Sequence, residues 1–213
     1  MASIACFIAC IGDFWITFVL GDYKPGYSQL RNTMSLLGVS TSPVSGIISL
    51  WWIIWGLLII FFAFGFGKAF GYHKTPVKIA TWLIILYGLG EGIGSGVFKA
   101  DLVNNSATLS SNIHEIGGGT GTIGILVLPF AMKLIITRAT NPGFHTLSWI
   151  VFLLGFAYLS MLLLHLIAYG SNDLLPYKGL WQRLFFLDYY IYLIVIAVIM
   201  IKKQHLESQL LFL

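Results

Sequence analysis

Six ionisable side chains stand inside or at the edges of long apolar runs: Asp13, Glu91, His114, Glu115, His165 and Asp188. Such a group at the centre of a membrane helix costs roughly 2.5–3.5 kcal/mol on insertion scales, so each one demands a partner or a purpose. Two imidazoles and a carboxylate can hold a zinc ion, with the open fourth position activating a water. His114, His165 and Asp13 are the candidate ligands for that chemistry, with Glu91 or Asp188 as general base. Carboxylates that titrate, here Glu91 and Asp13, can instead couple proton movement to alternating access. A hollow built from the same groups can also bind the head of an amphipathic molecule and catalyse nothing. Haem ligation by His114 and His165 is a further arrangement, but its propionates would need basic partners nearby.

The elements that carry these groups follow from composition. Of 213 residues, 58% are hydrophobic and 9% charged, against roughly 25% charged in a soluble domain. So few charges cannot clothe a soluble globule. The pattern predicts an all-α transmembrane bundle, a single domain over 1–213, with spans near 3–20, 46–66, 77–98, 112–136, 147–169 and 184–201. The first run lacks a basic leader and contains Asp13, so it is expected to be a retained span rather than a signal peptide. A short interfacial helix is expected within 28–37, where Leu30, Met34 and Leu37 share a face. Cys6 and Cys10, four residues apart in the first span, read as packing residues. The net charge of +4 comes from scattered Lys and Arg. It implies contact with lipid headgroups and no nucleic acid.

The second span has no ionisable residue and is expected to face lipid, with Trp51, Trp52 and Trp55 as interfacial anchors or packing. Gly88, Gly92 and Gly96, likewise Gly90 and Gly94, and then Gly117 and Gly121, recur every four residues. That spacing predicts close packing between the third and fourth spans. The run is not a phosphate loop, because no strand–glycine–helix pattern surrounds it.

An even number of spans puts both termini on one side. That side carries Lys68, Lys74, Lys78, Lys133, Arg138, Lys202 and Lys203, seven basic residues against five on the other. The positive-inside rule then favours cytoplasmic termini, in the inner membrane if the source is bacterial. All six ionisable groups fall in the opposite leaflet, and five spans supply them. A shared, hydrated pocket accounts for this depth, with Thr17, Ser95, Thr120, Tyr158, Ser160, Tyr189 and Tyr192 available to complete it. Each group also has a structural reading. His114 and Glu115 can cap the fourth helix, Asp188 can pair with Arg183, and His165 can be a hydrogen-bonded packing residue. Arg31 or Arg183, folded over the mouth, could neutralise Asp13 and Glu91.

Three stretches carry a resemblance: GYSQLRNTMSLLG (26–38), VFKADLVNNSATLSSNIHEIGG (97–118) and GLWQRLF (179–185). In order and spacing they resemble the bacterial and archaeal membrane family known as domain of unknown function 998. The resemblance points to Tyr27, Ser28, Asn32, Ser35, Asp101, His114 and Arg183 as site residues. Lys99 stands where that family usually has proline. The resemblance implies no activity, but its three stretches lie where the depth of the ionisable groups puts the pocket. The reading that claims least is an outer-leaflet pocket for a lipid or other amphipathic small molecule, lined by Asp13, Arg31, Glu115 and His165 together with these positions. An intramembrane metal-dependent lipid hydrolase and a proton-coupled carrier are the alternatives.

Overall fold

A computed structural model of the chain describes residues 1–104, 106–167 and 177–210, without the side chains of 165–167, 207, 208 and 210. Hydrocarbon cannot satisfy backbone polar groups, so the long apolar runs close their own hydrogen bonds as helices. Six helices are long and apolar enough to cross a membrane. They are α1 (Ala2–Asp22), α2 (Ser45–Phe70), α3 (Thr75–Val97), α4 (Leu109–Ile135), α5 (Pro142–Ile167) and α6 (Lys178–Leu210). A two-stranded hairpin, β1 (Leu102–Val103) with β2 (Ser106–Ala107), leads into α4. Thr108 then caps α4, its hydroxyl accepting the Ser111 N–H at 3.1 Å.

Within α1 the buried face is small or polar (Cys6, Ala9, Cys10, Asp13, Thr17), while Ile4, Ile8, Ile11 and Trp15 are exposed. Bulk faces lipid and small side chains let the helices meet, as membrane packing requires. Cys6 and Cys10 are both buried and free. Ala2 packs against Gly65 near the end of α2, and the Ser3 hydroxyl donates to the Ala197 carbonyl at 3.3 Å. The start of α1 and the later part of α6 therefore share one end of the bundle.

Helix α2 exposes Ile47, Leu50, Ile54, Leu57, Phe61 and Phe64 over much of its surface, as expected, and its other face is a core wall. It packs against α1, α3 and α6, and buries Ile48, Trp52, Trp55, Ile59, Phe62 and Phe66. Hydropathy cannot separate core from lipid contact when both are apolar, and the small residues of neighbouring helices decide the position instead. The most exposed helix is α5, with 17% of its most apolar window buried.

Helix α3 changes character along its length. It is α-helical over Thr75–Tyr87, π-helical over Gly88–Gly94, and closes with an α turn over Ser95–Val97. The four glycines of GLGEGIG give the wider turn no side chains to crowd it. A Cβ on Gly92 would lie 2.5 Å from the Gly56 Cα of α2, and one on Gly90 would collide with the Gly117 carbonyl of α4. Helix α3 is thus pressed between α2 and α4, and Glu91 sits at the middle of its π segment. The short helix expected in the first long loop is a single 3-10 turn, Met34–Leu37. Met34 and Leu37 turn into the bundle, while Leu30 stays exposed.

Candidate functional site

At the end of the bundle opposite the termini, α1, α2, α3, α4 and α6 surround a narrow cavity. Asp13, Glu91, His114, Ser35 and Ser95 supply its polar lining, and Trp52, Trp55, Tyr190 and Phe186 its aromatic walls. Its volume is about 30 Å³. A site needs roughly 10–15 Å³ to hold one water, so this hollow has room for a small polar head of about two waters' bulk.

Asp13 is 2% exposed. Its Oδ1 accepts the Trp51 indole N–H at 2.9 Å and its Oδ2 accepts the Tyr190 hydroxyl at 2.8 Å. Glu91 Oε1 accepts the Thr122 hydroxyl. Thr122 follows His114 by two helical turns, with Gly118 between them, so α4 presents His114, a gap and Thr122 on one face. His114 is held on both ring nitrogens, Nδ1 2.8 Å from the Phe98 carbonyl and Nε2 3.2 Å from the Ser35 hydroxyl. Two buried polar atoms on the lining have no hydrogen-bond partner, Trp55 Nε1 and Ser95 Oγ.

Above the cavity the first long loop is strapped to α6. Arg183 is 5% exposed. Its Nη1 donates to the carbonyls of Gln29 (2.6 Å), Asn32 (3.0 Å) and Gly179 (3.0 Å), and its Nη2 to the Tyr27 hydroxyl (2.6 Å). Burial raises the Tyr27 phenol pKa above its ordinary value, and the adjacent Arg183 offsets part of that rise. The Met34 N–H donates to Gln182 Oε1 at 2.7 Å, and the Leu180 N–H to the Leu30 carbonyl at 2.9 Å. Ser28 and Asn32 shape the turn beneath, the Ser28 N–H donating to Asn32 Oδ1 at 2.8 Å. Farther along, Asp101 accepts both the N–H (2.7 Å) and the hydroxyl (2.5 Å) of Ser40. These bonds hold its carboxyl below the usual range.

Of the residues expected to share a pocket, the structure brings together Asp13, Glu91, His114 and Ser35. The others lie elsewhere. Glu115 is exposed, because neighbours on a helix point about 100° apart and His114 takes the inward position. Asp188 is half-buried on α6 away from the cavity lining, with Oδ2 enclosed and without a partner. Arg31 is exposed, and Arg183 serves carbonyls and Tyr27 rather than a carboxylate. Tyr27, Ser28, Asn32 and Asp101 hold the loops in place and do not line the cavity. Of the proposed hydroxyls only Ser95 lines it; Tyr192 meets Ser148 at 2.8 Å and Tyr189 meets the Leu126 carbonyl at 3.2 Å. The His165 side chain lies outside the described residues. Among those described, no three His, Cys, Asp or Glu side chains form a metal-holding group.

Sequence reasoning missed Trp51, Tyr190, Thr122 and Gln182. Only Thr122 left a signal, its helical spacing from His114. Lys99 has a use that proline could not supply. Its N–H donates to the Ser110 hydroxyl and its amino group to the Ser45 hydroxyl, both at 2.7 Å. A second, larger hollow of about 320 Å³ lies at the other end, among Phe70, Lys74, Val77, Leu134, Ile136 and Lys203. It contains no carboxylate or histidine.

Six apolar helices, five of them around a polar cavity, with a polar loop strapped across one end, define a multi-pass membrane protein of the helical-bundle class. Residues 8–199 match the family described as Protein of unknown function (DUF998), and the chain belongs to it. Comparison with curated proteins and with solved structures gives no match.

Proposed function

We propose that this protein binds the polar head of an amphipathic molecule in the cavity beneath the Arg183-strapped loop. The observation that carries this reading is the pair Trp55 Nε1 and Ser95 Oγ. Both are buried without a partner on a lining that also holds two carboxylates. An enclosed polar atom left unsatisfied costs about 1–3 kcal/mol, so the lining is arranged for a group that donates and accepts. The aromatic walls suit the first carbons behind such a head. With cytoplasmic termini, as the seven-to-five basic distribution favours, the site lies in the non-cytoplasmic leaflet.

Two observations rank this reading above its alternatives. Both ring nitrogens of His114 are engaged by the protein, and no three described His, Cys, Asp or Glu side chains are grouped to hold a metal, which weakens a zinc-hydrolase reading. Toward the termini the core is apolar (Ile59, Phe62, Phe66, Ile84, Ile196), which gives a carrier no onward polar path.

Native mass spectrometry of the purified full chain tests the proposal. A co-purified amphiphile should be present, and Ser95→Leu, which fills the hollow, should abolish it. Stoichiometric zinc with hydrolysis of added lipid ester would contradict it. So would an amphiphile retained equally by Ser95→Leu.

A further inference from the structure

The head-group reading leaves open which head the site selects. We infer that the cavity selects a primary ammonium group, carried on an amphipathic amine; this inference rests on the proposed binding function. Three features of the lining converge on it.

The first is charge. Asp13 and Glu91 come from α1 and α3, and both face the hollow. Every hydrogen bond they receive comes from a neutral donor: an indole, a phenol and a threonine hydroxyl. No lysine or arginine lines the cavity among the described residues, and the buried Arg183 is committed to carbonyls and Tyr27. Two buried carboxyls in one hollow are neutralised by protons or by a cation, and of the described lining residues only His114 is basic.

The second feature is unused acceptor capacity. A carboxylate has about four acceptor positions, and Asp13 uses two of them within the protein. Glu91 Oε2 receives no hydrogen bond from a described residue. Ser95 Oγ, buried and unpartnered, can accept as well. An alkylammonium carries three N–H donors, which matches these three acceptors. Trp55 Nε1 then remains for an oxygen near the amine, such as a hydroxyl, an ester or a water. Trp52, Trp55 and Tyr190 wall the hollow with aromatic side chains.

The third feature is size. A hollow of about 30 Å³ admits the NH₃⁺ group, which is close to water in bulk. It excludes a trimethylammonium head, whose three methyls would need several times that room.

The test uses the purified full chain in phosphatidylcholine nanodiscs, titrated with dodecylamine, dodecyltrimethylammonium, dodecanol and dodecanoate. Tryptophan fluorescence and thermal unfolding report binding. Dodecylamine should bind most tightly, and Glu91→Gln and Asp13→Asn should each weaken it about tenfold, as expected for losing one charge-assisted hydrogen bond. Glu91→Gln carries the test alone if Asp13→Asn does not fold. Equal binding of dodecyltrimethylammonium, or amine binding unchanged in Glu91→Gln, overturns the ammonium assignment. If dodecanol or dodecanoate binds best and Ser95→Leu removes that binding, the ammonium assignment falls and the head-group reading stands. If no probe binds in a way that Ser95→Leu removes, both fall.

Discussion

Tyr190 of α6 donates its hydroxyl to Asp13 Oδ2 of α1 at 2.8 Å, across 177 positions of sequence. Both residues are buried, so this bond joins the first and last helices at the level of the cavity. Removing the hydroxyl leaves an enclosed carboxylate oxygen without its donor. Tyr190→Phe should therefore destabilise the protein by about 1–3 kcal/mol, read as the midpoint of unfolding in mixed micelles. Trp51→Phe should do the same from the α2 side, and an unchanged midpoint in both variants would show that neither bond matters.

Arg183 makes four hydrogen bonds in a planar fork that lysine cannot span. Arg183→Lys should cost more than about 2 kcal/mol through lost charge-assisted bonds, with faster hydrogen exchange over 27–37.

How much of this arrangement could be read in advance depends on the kind of contact. The absence of charge made the six helices legible. The four-residue glycine spacing announced close helix contacts but not every partner: Gly90 meets Gly117 of α4, whereas Gly88, Gly92 and Gly96 press on Gly56, Ser49 and Ile53 of α2. Depth along each run grouped Asp13, Glu91 and His114, because the cost of an ionisable group rises toward the bilayer centre whichever way the helix is turned. Rotation about the helix axis was not legible: His114 faces inward while its neighbour Glu115 faces out. Nor was the choice of which α2 face packs inward, since a core wall and a lipid-facing wall are equally apolar. The donors to the carboxylates, Trp51, Tyr190 and Thr122, lie 31 to 177 positions from their acceptors, and only the packed bundle brings them into reach.

The glycines of α3 and α4 divide into two classes that a substitution pair can separate. A methyl at Gly90 would strike the Gly117 carbonyl, whereas one at Gly119 meets nothing within 4 Å. Gly90→Ala should destabilise by about 1–3 kcal/mol through overpacking. Gly119→Ala should be neutral or slightly stabilising, as alanine is the better helix former. Equal effects in thermal unfolding would refute the α3–α4 contact.

Asp101 makes a pH prediction. Its carboxyl lies below the ordinary value of 3.8, chiefly because the Ser40 hydroxyl and N–H bond to it. A depressed carboxyl contributes stability that is complete above the ordinary value and lost as pH falls through the lowered one. Protection of the Ser40 amide in hydrogen exchange should therefore hold down to pH of about 4 and decline only below it. In Asp101→Asn that dependence should disappear.

The account rests on Asp13 and Glu91 facing one hollow, and a double-mutant cycle addresses that relationship directly. Asp13→Asn, Glu91→Gln and the double variant are compared by reversible unfolding in the same micelles. Groups sharing a cavity should be coupled by about 0.5–3 kcal/mol, with the double variant less stable than the sum of the single changes predicts, because each single change relieves the same repulsion and the double can relieve it only once. Strictly additive effects, within about 0.3 kcal/mol, would mean that the two carboxylates occupy separate environments, and the site described above would not exist.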